Sequence, residues 1–320
     1  MDSNEKDIQK TAAPQGWGVI YCPRESTPKR WEHIRQILEQ SDLPYDYVQS
    51  DGEGAIERLA GMMTRNGYST IIVVGGDSAL NHALNGILKN TSPTGKIPAI
   101  GVIPNGHIND FARYWGFHPK NDKETIDRLA KNRKRRIDVG VLTTHNKDAK
   151  SEETVSATAY FLNCVNIGTA ASIIHLRRQA HSHGWFSKLS YVWACFQLLF
   201  QRMNFKYAFS LNGEQHERKG MTLCVGSARG YGQTPNAVPY NGLLDISLVS
   251  APQLTQLFHG LWLLVTGRFL SHTGIKVWRT NKMDFSDIDG ARISYDGHVH
   301  KSGAESLTIS ILPEKVEFLI

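Results

Sequence analysis

The sequence IIVVGGDSALNHALNGIL, residues 71–88, decides the fold, because it predicts a buried strand that ends in two glycines before a helix begins. Its first four residues are all β-branched, as is typical of a parallel strand covered on both faces. Gly75 and Gly76 carry no Cβ, so the backbone can turn sharply or approach a ligand there. Apolar residues then recur at helical spacing, with Asp77 or Ser78 placed to cap the first turn. Loop amides and a helix N-terminus form a natural phosphate site, although an ordinary turn between strand and helix would look the same.

A second segment, IGVIPNGHINDFARYWGF at residues 100–117, repeats the pattern of an apolar strand that ends in polar residues and glycine. Ligands of an open α/β sheet bind outside the carboxyl ends of its strands, so we expect the two loops to face one site. Asp77 and Asp110 would then lie together. Two carboxylates beside bound phosphates need a cation, and Mg²⁺ takes one or two carboxylates plus phosphate oxygens, so the pair predicts a magnesium site. The alternative role of both residues is to cap helices.

Together with two later segments, these two resemble the diacylglycerol kinase catalytic domain family, which includes bacterial lipid kinases and sphingosine kinase relatives. The family reads GGDGTxNEVxNG and PxGTxNDFAR where this chain has GGDSALNHALNG and PNGHINDFAR. The stretch PNAVPYNGLLDISLV at residues 235–249 is similar to the family's PxAxxDDGLLDVxxV, and YDGH at residues 295–298 resembles its DGE motif. The four matches occur in family order along nearly the whole chain after Gln15, so the ordered set is specific.

The resemblance implies an ATP-dependent lipid kinase that transfers the γ-phosphoryl group to a hydroxyl of a lipid such as diacylglycerol, with ATP and Mg²⁺ as cofactors. Asp296 would be the general base that takes the proton of the lipid hydroxyl, with Asp77 as the second catalytic residue. The residues implied to bind the nucleotide are Gly75, Gly76, Asp77, Ser78, Asn81, Pro104, Gly106, His107, Asn109 and Asp110. Those implied to hold the metal are Asp77, Asp110, Asp245 and His298.

Several positions depart from the family's pattern. Ser78 and Ala79 replace the glycine and threonine of GGDGT, and Cys22 replaces the asparagine of an N-terminal NPxSG. Histidines replace family residues at three motif positions, which are His82, His107 and His298. Because imidazole is a poor Mg²⁺ ligand, the chain could instead be a catalytically weakened family member that binds nucleotide or lipid in a regulatory role. Two further alternatives are a zinc site formed by the three histidines and an NAD kinase, which shares the GGDG-type loop.

The order of the segments predicts two domains of different class. After a polar tail at residues 1–15, alternating strands and helices predict a Rossmann-like, parallel-sheet nucleotide-binding α/β domain at residues 16–137. Spaced β-rich segments predict an antiparallel β-sandwich at residues 138–312, which the resemblance identifies as the lipid-binding domain. The resemblance also implies that the chain end near residues 313–320 returns to the first domain.

Two helices and one connection are predicted inside the β-rich half. The helices lie around residues 186–201 and 253–267, where apolar and aromatic residues are frequent. The polar segment GEQHERKG at residues 213–220 predicts a hairpin or a short polar connection between two strands.

Composition favours a cytoplasmic protein, because the four cysteines form no CxxC pair and no apolar run reaches the ~20 residues needed to span a bilayer. The net charge of +6 is moderately basic. The basic run KNRKRR at residues 131–136 and the aromatic segment at residues 185–200 predict peripheral contact with the inner face of the membrane, while the alternative for the aromatic residues is a packed core. We recognise no nucleic-acid module, and the resemblance allows a homodimer.

Overall fold

The computed structural model describes residues 16–23, 28–41, 43–106, 109–147, 154–181, 204–230, 232–250, 268–300 and 306–320, together with residues 256, 259, 262, 263 and 266. The polar tail, the helix predicted at residues 186–201, the aromatic segment and His107 lie outside the described residues. So do most residues of the helix predicted at 253–267.

The first half of the chain alternates strands and helices, as the sequence predicts. Its elements are β1 (Trp17–Tyr21), α1 (Pro28–Gln40), β2 (Tyr45–Gln49), α2 (Glu53–Arg65), β3 (Thr70–Gly75), α3 (Asp77–Asn90), β4 (Ala99–Pro104), α4 (Asp110–Tyr114) and α5 (Asp122–Ala130). The four strands pair in parallel in the order β2-β1-β3-β4. Strands β3 and β4 are buried along their whole length, and Gly75 pairs with Pro104 at their carboxyl ends. The two loops that follow these strands therefore start side by side.

The second half is rich in antiparallel strands. Its elements are β5 (Lys134–Lys147), β6 (Thr154–Phe161), β7 (Cys164–Gly168), α6 (Thr169–His181), β8 (Phe205–Leu211), β9 (Glu214–Gly220), β10 (Thr222–Gly226), β11 (Leu244–Val249), β12 (Ile275–Thr280), β13 (Lys282–Asp287), β14 (Ile293–Tyr295), β15 (His298–Val299) and β16 (Ser306–Leu319). Six of the strands form one sheet in the order β12-β11-β10-β7-β14-β15. The others continue the first sheet beyond β4 in the order β16-β13-β8-β9, with β5 and β6 beside β16. The predicted fold class, a parallel α/β half followed by antiparallel sheets, is thereby confirmed.

Strands β5 and β16 form a long antiparallel ribbon that belongs to both halves. At one end Leu307 and Ile309 pack in the core between the two antiparallel sheets. At the other end Val316 and Phe318 pack in the core around the parallel sheet, where Phe318 pairs with Ile100 of β4. The ribbon is thus a covalent and hydrogen-bonded connection between the two hydrophobic cores.

The buried side chain of Asp138 holds an irregularity in this ribbon. The register between β5 and β16 shifts between Leu312 and Val316, and Glu314 in this interval has a positive φ of 48°. Asp138 is fully buried, and its carboxylate accepts hydrogen bonds from the backbone N–H groups of Glu314 (2.8 Å) and Gly242 (2.7 Å). A buried charge needs such donors, so Asp138 fixes the bulge and the turn before β11 together.

The segment GEQHERKG forms a hairpin with β8, one of its two predicted roles, but most of it is strand and not turn. The turn is confined to Asn212 and Gly213, which both have positive φ, and Glu214–Gly220 is strand β9 paired with β8. Strand β9 is the last in the sheet order, and charged side chains are typical of such an edge because they oppose pairing with other chains.

The basic run at residues 131–136 is divided between two elements, since α5 ends at Ala130 and β5 begins at Lys134. No helix in the described ranges is both long enough and apolar enough to cross a bilayer.

Gly86 of α3 provides a test of the packing between α2 and α3. A Cβ at this position would lie 2.1 Å from the carbonyl oxygen of Glu57 and 3.0 Å from the Cβ of Ala60, so the helices would have to move apart. We expect Gly86→Ala to lower the free energy of unfolding by about 1–3 kcal/mol in urea denaturation. Gly54 of α2 is the control, because a Cβ there meets nothing within 4 Å. Gly54→Ala should stabilise by up to about 1 kcal/mol through helix propensity, and equal losses in both variants would contradict the packing argument.

Candidate functional site

Helix α3 begins at the end of β3 without a capping side chain. Its N-cap residue is Gly76, whose backbone is extended, and no side chain caps the helix. Asp77 and Ser78 are the first two helical residues, so the prediction that one of them caps this helix is wrong. The positive end of the helix dipole therefore lies at the carboxyl edge of the parallel sheet, where it favours an anionic ligand.

The carboxylate of Asp77 binds the start of the neighbouring helix α4 instead. Its Oδ2 accepts a hydrogen bond from the Asp110 N–H at 2.8 Å, and its Oδ1 accepts one from the Phe111 N–H at 3.1 Å. Asn109, just before this helix, has a left-handed backbone (φ 55°), and its side chain bonds to both backbone polar groups of Gly106. The loop after β4 is therefore fixed against the loop after β3, and this brings Asp77 and Asp110 together.

The environment of Asp77 is electrostatically unfavourable for a charged carboxylate. Its pKa is raised to about 7, first by burial and then by the negative charges of Asp110 and Asp296, while the two backbone N–H groups act in the opposite direction. A carboxyl group with this pKa can take and release a proton near neutral pH. A cation bound beside it would favour its charged form.

Asp296 comes from the other half of the chain and is enclosed by donors. It is 1% exposed and has a positive φ of 44°. Its two oxygens accept four hydrogen bonds, from the N–H groups of Leu162 (2.6 Å), Asn163 (2.9 Å) and Cys164 (3.0 Å) and from Asn81 Nδ2 (3.0 Å). The pKa of Asp296 is nevertheless raised, because burial outweighs these bonds. A carboxylate offers about four acceptor positions, so the set is filled.

The two asparagines of the first motif attach α3 to the second half. Asn81 Nδ2 donates to the carbonyl of Tyr160 at 2.8 Å as well as to Asp296. Asn85 forms two bonds with the backbone of Tyr160, donating to its carbonyl at 2.9 Å and accepting from its N–H at 3.0 Å. Asn81, predicted to bind nucleotide, is therefore engaged between helix α3, strand β6 and Asp296.

Three of the positions that depart from the family's pattern contact one another. Nε2 of His298 lies 3.1 Å from the carbonyl oxygen and 3.2 Å from Oγ of Ser78. Because a carbonyl oxygen can only accept, Nε2 carries the proton in that bond. The rings of His298 and His82 are edge to face with their centroids 4.1 Å apart, and His82 Nδ1 lies 3.7 Å from a carboxylate oxygen of Glu57. The substitutions at Ser78, His82 and His298 thus form a contiguous cluster at the start of α3.

The remaining predicted site residues are placed as follows. The carbonyl of Pro104 accepts a hydrogen bond from Arg30 at 2.9 Å, which ties the end of β4 to α1. Asp245 is on β11, where it forms an ion pair with Arg279. Among the described residues, no group of three or more His, Cys, Asp or Glu side chains is placed to hold a metal ion. Asp77 and Asp110 are therefore the predicted metal ligands that the structure brings together.

Two polar side chains that the sequence does not single out also belong to this edge of the sheet. Ser50 follows β2 and Asn105 follows β4, and both are almost completely buried. Ser50 Oγ and Asn105 Nδ2 have no hydrogen-bond partner among the described residues, although buried polar atoms are nearly always paired. The signal that could have found them is their position, since each is the first residue after a strand of the parallel sheet.

Comparisons with known proteins cover both halves of the chain. Residues 19–142 match the family model of the diacylglycerol kinase catalytic domain, and residues 163–320 match that of the YegS C-terminal NAD kinase beta sandwich-like domain. A diacylglycerol kinase of Mycobacterium tuberculosis is 29% identical over 219 residues, which are 66% of this chain and 64% of that protein. A diacylglycerol kinase of Staphylococcus carnosus is 22% identical over 255 residues, 78% of this chain and 76% of that protein.

The fold is also that of a solved structure. The crystal structure of a diacylglycerol kinase from Bacillus anthracis superimposes with a TM-score of 0.69 at 17% identity, covering 95% of this chain and 96% of that one. The two family models match consecutive parts of the chain, and the curated relatives extend across both parts. Residues 19–142 therefore belong to the diacylglycerol kinase catalytic domain family, and the similarity to diacylglycerol kinases extends across both parts of the chain.

Proposed function

We propose that this protein is an ATP-dependent kinase that transfers the γ-phosphoryl group of ATP to a hydroxyl of a lipid such as diacylglycerol. The observation that carries the proposal is the convergence of Asp77 and Asp110 with the start of α3 at the carboxyl edge of the parallel sheet, beside Asp296 from the other half. Family membership supports a kinase of this class. Such catalysis consists mainly of positioning and charge neutralisation, which this arrangement of groups can supply.

The edge of the parallel sheet suits a nucleotide. Ser50 Oγ and Asn105 Nδ2 are buried there without a partner in the part of the chain that the structure describes, so a bound ligand would supply hydrogen bonds to these atoms. Gly75 and Gly76 leave room for phosphate oxygens, and the N-terminus of α3 favours their charge. We assign the nucleotide to this edge.

Mg²⁺ fits the same place by the chemistry of its donors. Asp77 and Asp110 offer hard carboxylate oxygens, which Mg²⁺ prefers. The raised pKa of Asp77 indicates buried negative charge that a cation would compensate. When bound, the ion would neutralise phosphate charge. We do not assign it to Asp245, which is paired with Arg279, or to His298, which is paired with Ser78.

The proton of the acceptor hydroxyl is better assigned to Asp77 than to Asp296. Asp77 accepts one backbone hydrogen bond on each oxygen, which leaves acceptor capacity on both, and a bound cation would lower its pKa from about 7, so that it is ionised at neutral pH. Asp296 would have to give up one of its four hydrogen bonds to act as a base. In the proposed mechanism Asp296 therefore positions the loop between β6 and β7.

The lipid acceptor requires contact with a membrane. We propose peripheral association with the inner face of the cytoplasmic membrane, supported by exposed basic residues at the start of β5. A homodimer remains a prediction of the resemblance.

A second candidate function is a weakened family member that binds nucleotide or lipid without much turnover. The observation that favours it is the bond from His298 to Ser78, because it places an imidazole and a hydroxyl at the phosphate loop, where the family's pattern has a glutamate and a glycine. The aspartates at the centre of the site are kept, and this supports the kinase over the second candidate.

The kinase proposal is tested by giving the purified protein radiolabelled ATP, Mg²⁺ or Mn²⁺ and vesicles of different lipids. We expect lipid phosphorylation, and a loss of at least ~100-fold in kcat for Asp77→Asn because the proposed base is removed. Asp127→Asn is the matched control, since Asp127 is an exposed aspartate on α5. No phosphorylation with either metal, with ATP binding retained, would eliminate the kinase proposal and leave the second candidate.

The pH dependence of the reaction identifies the base. Asp77 accepts a proton only when ionised, so kcat/KM should rise with pH and reach half of its plateau below the pKa of about 7 that Asp77 has without a cation, because bound Mg²⁺ lowers that pKa. Stopped assays over a pH series measure this rising limb of the plot of kcat/KM against pH. Asp296→Asn should lower stability, because its amide would face N–H donors, but should keep the midpoint of the limb. A fully stable Asp296→Asn protein that lacks the limb would return the role of base to Asp296.

The contact between Ser78 and His298 is tested by a double-mutant cycle. Each of Ser78→Gly and His298→Glu removes the bond between Oγ and Nε2, so their effects on the free energy of unfolding should be non-additive by about 0.5–3 kcal/mol. If the second candidate is right, the double variant should also exceed the wild type in turnover. Equal or lower turnover of the double variant would show that these substitutions have not weakened the enzyme.

A further inference from the structure

Two guanidinium groups lie on two tyrosine rings at the side of the candidate site. The Arg135 guanidinium is 3.6 Å from the ring centroid of Tyr240, and the Arg229 guanidinium is 5.6 Å from that of Tyr114. The two tyrosine hydroxyl oxygens are 3.4 Å apart, with Tyr114 donating to Tyr240. We name these four residues the arginine-tyrosine cluster.

The charges of this cluster are not compensated. Both arginines are exposed, and no carboxylate within the described ranges forms an ion pair with either of them. The basic neighbour Lys134, by contrast, is paired with Glu317 at 3.5 Å. Two positive charges thus share a small surface with aromatic rings, which is a favourable place for an anion.

The arginine-tyrosine cluster offers several hydrogen-bond donors to a ligand. A guanidinium that stacks on a ring uses its face, so its in-plane N–H groups stay available for a bidentate acceptor such as phosphate. Because the Tyr114 hydroxyl donates to Tyr240, the O–H of Tyr240 can donate to a ligand. The pKa of Tyr114 is raised to about 12, first by burial and then by its bond to Tyr240, so its hydroxyl keeps its proton at neutral pH.

The cluster is built by both halves of the chain and is connected to the site. Tyr114 is the last residue of α4, whose first residue Asp110 donates to Asp77. Arg229 follows Ala228, whose N–H binds the carbonyl of Asn163 beside the Asp296 carboxylate. The turn that carries Tyr240 is held by Asp138 through its bonds to Pro239 and Gly242.

We propose that Arg135, Arg229 and the Tyr240 hydroxyl form a binding site for a phosphate monoester group, separate from the nucleotide phosphates at the start of α3. A monoester carries up to two negative charges and three acceptor oxygens, which match two guanidinium forks and one hydroxyl. The group can belong to a lipid headgroup or to a small soluble phosphate. The site does not depend on whether the chain transfers phosphate.

The test compares the full chain with Arg135→Gln, Arg229→Gln, the double variant and Tyr240→Phe, which keeps the ring and removes the donor. Binding is measured by co-sedimentation with phosphatidylcholine vesicles that contain either phosphatidic acid, a monoester, or phosphatidylglycerol, a diester. Inorganic phosphate and glycerol 3-phosphate are titrated separately by calorimetry. Arg58→Gln is the matched control, because Arg58 is an exposed arginine on α2, outside both the cluster and the basic residues of β5.

We expect phosphatidic acid vesicles to bind better than phosphatidylglycerol vesicles, and each arginine variant to lose about tenfold in affinity, as for a charged hydrogen bond. Arg58→Gln should change affinity by less than about twofold, because an exposed charge outside the cluster makes no direct bond to the ligand. If the soluble phosphates also bind, and the arginine variants lose the same affinity for them, the ligand is a small phosphate. Binding to vesicles alone would identify the lipid headgroup.

Three results would overturn the proposal. One is an equal loss in Arg58→Gln, which would show attraction to any negative surface. Another is equal binding of the monoester and diester vesicles, and the third is no binding in any arm. Thermal unfolding checks that the variants are folded, and Arg229→Gln and Tyr240→Phe carry the test if loss of the Arg135 stacking destabilises the protein.

Discussion

The buried carboxylate of Asp296 is the constraint on which the arrangement of the site depends. A charge that is 1% exposed must be surrounded by donors, and it takes three from the backbone at the start of β7 and one from Asn81 of α3. Because these donors come from both halves of the chain, satisfying one carboxylate fixes how the halves meet. Strand β15 begins only two residues after Asp296, and its first residue, His298, therefore reaches the first turn of α3.

This constraint separates two kinds of residue that look alike in the motifs. Asn81 and Asn85 bind the backbone of Tyr160 or Asp296, so their side chains hold α3 against β6. Among the described residues, Asp77 accepts two backbone bonds, and its pKa is raised to near neutrality, so it retains acceptor capacity for chemistry. Motif membership alone therefore does not distinguish a residue that builds the site from one that acts in it.

Much of the fold could be predicted from the sequence because it depends on local patterns. The β-branched run before Gly75 and the helical spacing after it are enough to place β3 and α3. The site was harder, because its contacts join residues far apart in the chain, such as Ser78 and His298. No local pattern reports that Asp77 caps another helix, that Ser50 Oγ has no partner within the described ranges, or that the polar segment Glu214–Gly220 pairs as an edge strand.

The ribbon of β5 and β16 has a mechanical consequence. Since each of its strands contributes to both hydrophobic cores, the halves cannot swing apart on a flexible linker as in hinged two-domain enzymes. Any separation of the halves must bend the ribbon itself. The ladder loses its register in the interval from Leu312 to Val316, and Asp138 holds this interval by its bond to Glu314. We therefore expect the resistance of the ribbon to bending to depend on a buried aspartate that touches neither nucleotide nor lipid in the proposed mechanism.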